Sequence, residues 1–135
     1  MTLVRSDQVR EALIDIIKAN TTIMALLDDA NEVREFNWKG MEFSYPNYRV
    51  RIQEIRPFIL CYQNLYASIY CLSEEKSSQE AEQMAGTIAD EFHGYSVTQD
   101  EIHFANIRVD IIPAIAQSQR EWRAECQIRS IINFE

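Results

Sequence analysis

The sequence predicts an α+β fold: an antiparallel sheet of about four to five strands, a long helix packed on one face, and an N-terminal helical arm over about residues 1–30. Three observations carry this expectation. The stretch Arg120–Ile132 alternates, with Trp122, Ala124, Cys126 and Ile128 in one set and Glu121, Arg123, Glu125, Gln127 and Arg129 in the other. Successive side chains of a strand point to opposite faces, so one face meets a core and a mixed-charge face points away from it. Ala81, Met84, Ala85, Ile88 and Phe92 recur at helical spacing. The strand-like segments follow one another through short turns, whereas a doubly wound parallel sheet needs apolar runs and repeated crossovers.

Along the chain, Ser6 or Asp7 is placed to cap a first helix running to about Lys18. Its apolar face is Val9, Ala12, Leu13, Ile16 and Ile17, and the early acids and late Lys18 suit the helix dipole. After Asn20-Thr21-Thr22, Thr22 is expected to cap a short helix through Ile23, Met24, Leu26 and Leu27, ended by Asp28–Asn31. Between Val33 and Tyr45, the residues Phe36, Trp38, Met41, Phe43 and Tyr45 surround Gly40. That segment is either a short strand and loop packing its aromatics on the core, or an exposed contact patch.

Tyr45-Pro46 favours an extended entry into a strand over Asn47–Ile55, where Tyr48, Val50 and Ile52 alternate with Arg49, Arg51 and Gln53. Leu60–Leu72 continues as strand, with Leu65, Ala67, Ile69 and Cys71 opposite Tyr66, Ser68, Tyr70 and Leu72. Tyr62, Tyr66 and Tyr70 share a face, which fits a contact surface and core packing equally. Ser77 with Glu80 matches a capping box, and His93-Gly94 should stop the helix that follows. Thr98-Gln99-Asp100 is a turn before a strand over Glu101–Ile112. Pro113 should end that strand, and Ala114–Gln119 should connect it to the closing one.

At 135 residues the chain fits a single domain spanning 1–135. A formal net charge of −8 argues against gripping nucleic-acid phosphates, which needs clustered Lys and Arg. Cys61, Cys71 and Cys126 are odd in number and lie in apolar patterns, so buried reduced thiols and a cytosolic site of folding are expected. The N-terminus has no secretory h-region, and no apolar run of about 18 residues exists, so no membrane association is expected.

Chemistry has little to stand on. His93 and His103 are the only histidines, without CxxC or HExxH, and no GxSxG marks a nucleophile. Gly40, Gly86 and Gly94 stand alone, which excludes a glycine-rich phosphate loop. The acids Glu74-Glu75 and Asp100-Glu101 fall in turns, where solvated charge is the ordinary role. No catalytic, cofactor or metal residue is assigned. Arg49, Arg51 and Arg56 form the one local positive cluster. The candidate interface residues are Phe36, Trp38, Phe43, Arg49, Arg51, Glu121, Arg123, Glu125 and Arg129.

The order of elements resembles the phage tail-terminator, or tail-completion, proteins of the neck. The marks run over roughly Leu3 to Asn133. They are the first helix, the strand Tyr45-Pro46-Asn47-Tyr48-Arg49-Val50-Arg51-Ile52, the strand Ala67-Ser68-Ile69-Tyr70-Cys71-Leu72 feeding the helix start Ser77-Ser78-Gln79-Glu80-Ala81-Glu82, and two long closing strands. Arg56–Gln63 departs from the family as an insertion. The resemblance implies a non-enzymatic virion subunit, assembled in the host cytoplasm, that closes into a homo-oligomeric ring, usually a hexamer. Such a ring ends tail-tube growth and joins the tail to head-completion proteins, with DNA only passing through. Another neck, sheath-end or baseplate component is the nearest alternative. A small ligand-binding regulatory domain, with a closed apolar pocket as its sign, and a thiol enzyme using Cys61 are the readings from other classes.

Overall fold

The structure, a computed structural model, describes residues 2–40 and 42–135, so Met41 of the aromatic segment lies outside the described residues. In chain order the elements are α1 (Ser6–Ala19), α2 (Thr21–Met24), β1 (Val33–Glu35), β2 (Asn47–Ile59), β3 (Tyr62–Ser73), α3 (Gln79–Phe92), β4 (Val97–Gln99), β5 (Ile102–Ser118) and β6 (Glu121–Phe134). The strands form one sheet in the order β1-β2-β3-β6-β5-β4. Strand makes up 47% and helix 24%, and the sheet curls into a mixed half-barrel.

This mostly β architecture corrects the expected α+β fold with a four-to-five-stranded antiparallel sheet and one long helix. β1 and β4 are three residues each, too short to leave a periodic trace. β1 pairs parallel to β2, because the loop after Glu35 carries the chain back to the same end of the sheet. No helix dominates: α1 and α3 are both 14 residues long. Nor is α1 a detached arm, since Val9, Ala12 and Ile17 are fully buried. It packs on β1 and β2 at one edge of the sheet and on β4 at the other, which the curl makes possible.

One core cluster fills the concave side. It joins the apolar faces of α1 and α3 to Tyr48 and Val50 of β2, Leu65, Ala67, Ile69 and Cys71 of β3, Phe104, Ile107 and Val109 of β5, and Ala124, Cys126, Ile128 and Ile132 of β6. The alternation of the closing strand is therefore borne out on its apolar side.

Several local expectations change. β5 runs through Pro113 to Ser118. Pro113 sits in a bulge between Ile112 and Ile115 and on a strand whose other side carries no ladder there, so its missing N–H breaks nothing. Pro57 is likewise inside β2, and Arg56–Gln63 is the end of a continuous hairpin. The Ser77–Glu80 capping box is not formed: Glu80 accepts from Ser73 Oγ at 2.7 Å instead. Asn20, not Thr22, caps α2, accepting from Ile23 N–H at 3.0 Å. α3 does end at His93-Gly94, with Gly94 at φ +84°, a left-handed value that glycine adopts without strain.

α1 also meets the β4–β5 turn. The Asp15 carboxyl titrates above its usual range, first because it hydrogen-bonds the Asp100 side chain and then because burial disfavours its charge. An acid with a raised folded pKa contributes stability that is present below the unfolded pKa and lost as pH rises through the folded one. Asp100→Asn, which relieves this pair, is expected to stabilise the fold at pH 7 by less than about 1 kcal/mol after solvent screening. The gain should vanish near pH 3, as thermal unfolding at both pH values will show.

Candidate assembly surface

The convex face of the sheet carries the residues left over by the core. Arg51 of β2, Tyr66, Ser68 and Tyr70 of β3, and Arg123, Glu125 and Arg129 of β6 face away from α1 and α3 by strand alternation. The segment after β1 folds over one end of this face. Phe36 stacks tilted on Tyr70 at 5.0 Å between centroids, and Arg123 lies over the same tyrosine ring at 4.8 Å. Arg51 lies 5.6 Å from the Phe36 ring. Phe36, Arg51 and Arg123 are thus brought into one cluster around Tyr70.

Glu125 and Glu121 are tied in from the side. Ser68 Oγ donates to Glu125 at 2.7 Å and accepts from Gln53 Nε2 at 2.7 Å, a bridge from β2 across β3 to β6. Tyr45 Oη donates to the Glu121 carboxylate. Burial and that carboxylate together push the Tyr45 hydroxyl well above its ordinary range. Arg129 stands apart, paired with exposed Asp110 of β5 at 3.0 Å.

Trp38, Phe43 and Arg49 have other surroundings. Arg34 stacks on Trp38 at 3.8 Å. The Trp38 ring also covers Gly40, where a side-chain carbon would stand 1.7 Å from it. Phe43 packs edge-on to Tyr45 at 5.4 Å and remains 51% exposed. Arg49 shares the convex face by alternation yet is only 7% exposed. Its Nη2 pairs with buried Glu32 at 2.9 Å, and Nη1 donates to the carbonyls of Glu32 and Tyr48. Glu32 also accepts from Ser44 N–H at 2.6 Å. This buried pair pins both ends of the aromatic loop, so Arg49 holds the surface in shape from beneath.

A second group of exposed apolar residues lies outside the candidates that the sequence pattern marks. Phe58, Ile59 and Leu60 form the β2–β3 tip, and Leu60 is 72% exposed. Ile111, Ile112 and Ile115 are exposed along β5. The run Phe58-Ile59-Leu60 was visible as uninterrupted apolar sequence beside a proline. Only the hairpin geometry shows that it points to solvent.

The other chemistry is dispersed. Cys61 lies half-buried in the β2–β3 turn, while Cys71 and Cys126 are in the core, where burial pushes the Cys71 thiol well up. His93 Nδ1 accepts from Val109 N–H at 3.0 Å, and the His103 ring meets Thr98 Oγ1 at 2.9 Å. Among the described residues no three His, Cys, Asp or Glu side chains converge as a metal site, and no helix is long and apolar enough to cross a membrane. A depression of about 330 Å³ on the convex face has a mixed lining, with Ala67, Ile128 and the Tyr66 ring beside Gln53, Glu54 and Arg129, and it is open to solvent, unlike a closed apolar ligand pocket.

No family model matches the chain, and no curated protein matches it. Among solved structures, the fold is similar to that of a chain in the virion of a native gene transfer agent particle, with a TM-score of 0.72 and 11% identity. The likeness covers 93% of this chain and 94% of that one, so the curled sheet and its helices are shared over almost the whole length of both.

Proposed function

We propose that the chain is a non-enzymatic structural subunit of a tailed, phage-like virion. Copies close into a ring, hexameric as in the tail-terminator proteins, at the head-proximal end of the tail. The ring ends tube growth and joins the tail to the neck. The single observation that carries this reading is the end-to-end likeness to a gene-transfer-agent virion chain. The organisation of the convex face supports it: mixed-sign groups held by hydrogen bonds and aromatic stacking suit a specific protein contact. The net charge of −8 suits a passage through which DNA slides without sticking.

Purified tail tubes mixed with the chain are expected to carry it at one end in negative stain, and to stop elongating when more tube protein is added. Reversing Arg123 and Arg129 to Glu should weaken assembly about tenfold, some 1.4 kcal/mol, while the thermal transition stays within about 1 kcal/mol of wild type. Unchanged oligomers and unchanged tube capping in that variant would remove the convex face from the interface. Tubes that keep growing with the wild-type chain present would remove the terminator role.

A further inference from the structure

We infer that the β2–β3 hairpin tip of one copy seats on the open stretch of β5 in the next copy, joining two different corners of the sheet head to tail. The inference rests on the ring reading above and names the surfaces that close the ring.

At the tip, Phe58, Ile59, Leu60 and Tyr62 are 49%, 57%, 72% and 41% exposed, and the Phe58 and Tyr62 rings already pair at 6.4 Å. The exposed parts of these side chains make one apolar patch, of the class (roughly 300–600 Å²) that marks contact sites on monomers. The second surface lies on β5. β4 pairs only with Ile102–Phe104, and the backbone of Gly94 and Tyr95 together with the His93 ring serves Ile107 and Val109. From Asp110 onward the ladder runs, among the described residues, to β6 alone, leaving the other edge open beside exposed Ile111, Ile112 and Ile115.

The two surfaces cannot meet within one subunit. β2 and β5 lie on opposite sides of the β3–β6 pair. The tip is level with Ile132 of β6, while the open part of β5 is level with Glu121–Cys126. They are diagonal corners, which only a second copy can bring together. Electrostatics favours that copy at these corners. Copies of charge −8 repel, yet neither Pro57–Ser73 nor Ile111–Gln119 contains a charged residue. A contact there has the charge-depleted centre that interfaces prefer.

Each free edge also carries a proline, Pro57 or Pro113, which interrupts any long intermolecular ladder. Side-chain packing therefore does the joining, and runaway strand addition is blocked. Because the patches differ, the contact is heterologous, and it closes into a ring when successive rotations sum to a full turn.

The test uses the full chain in two variants, a tip variant (Phe58→Asp with Leu60→Asn) and an edge variant (Ile111→Lys with Ile115→Lys). Asn suits the positive φ of 48° at residue 60. If the edge variant loses its cooperative thermal transition, Ile111→Thr with Ile115→Thr, which keeps β-branching, replaces it. In sedimentation velocity each variant alone is expected to be monomeric. An equimolar mixture is expected to give a dimer and nothing larger, because one good tip then meets one good edge. Wild-type oligomers in either folded variant, or a mixture that stays monomeric, overturn the contact while leaving the ring reading intact. A wild-type chain that is monomeric at every concentration overturns both. Wild-type oligomers that obey the mixing rule but ignore tail tubes support the contact and count against the terminator role alone.

Discussion

Replacing Glu32 by alanine is expected to cost about 3–5 kcal/mol of folding stability, because it leaves the Arg49 guanidinium buried without its counter-charge. Glu32 is 2% exposed and serves three parts of the chain at once. Its carboxylate takes Arg49 Nη2 at 2.9 Å and Ser44 N–H at 2.6 Å, while its carbonyl takes Tyr48 N–H at 3.0 Å. Removing it frees the loop that carries Phe36, Trp38 and Phe43 over the convex face. The double change Glu32→Leu with Arg49→Met should recover most of the loss, since an apolar pair of similar volume often replaces a buried ion pair at little cost. Chemical denaturation of the two variants checks both statements. Failure of the double variant to recover would mean that the hydrogen bonds to the backbone, from Ser44 N–H to the Glu32 carboxylate and from Arg49 Nη1 to the Glu32 and Tyr48 carbonyls, carry the stability and not the ion pair.

Phe104→Ala is expected to cost a further 3–5 kcal/mol class of stability on its own, through lost burial and the cavity left behind. Phe104 is fully buried, pairs with Ile132 on one side, and faces Val97 of β4 on the other. It thus joins the short edge strand to the body of the sheet, and its loss should release β4 first. Hydrogen exchange should show the β4 amides opening before those of β3 and β6, at the centre of the sheet. The exposed Leu60 provides the contrast: Leu60→Ser should change the stability of the dilute monomer by within about 0.5 kcal/mol.

What was legible in the sequence was whatever repeats. The alternation of β6 located its core face residue by residue, and the spacing of Ala81, Met84, Ile88 and Phe92 located the buried side of α3. Of the short strands, β1 was legible only as one of two readings of Val33–Tyr45, and β4 was read as a turn, because three residues carry no period; the parallel pairing of β1 with β2 makes the sheet mixed, and the two strands together bring it to six. The prolines misled for a definable reason. Pro113 was expected to end a strand, but it stands in a bulge on an open edge, a fact of pairing rather than of local sequence.

The surface was legible in part. Arg51, Arg123 and Glu125 do lie on one face, as period two requires. That Arg49 on the same face is covered depends on Glu32, seventeen residues earlier, closing over it. Such long-range partners leave no mark in either segment taken alone. The same holds for Tyr45, whose bond to Glu121 spans 76 residues.

Whether copies of the proposed subunit close into a ring is decided by mass photometry of the full chain over a range of concentrations, with negative-stain images of the same samples. One discrete assembly is expected, growing in population as concentration rises and seen end-on as a closed ring with a central opening. A single monomer peak at every concentration would contradict it, as would an open ladder of ever larger species.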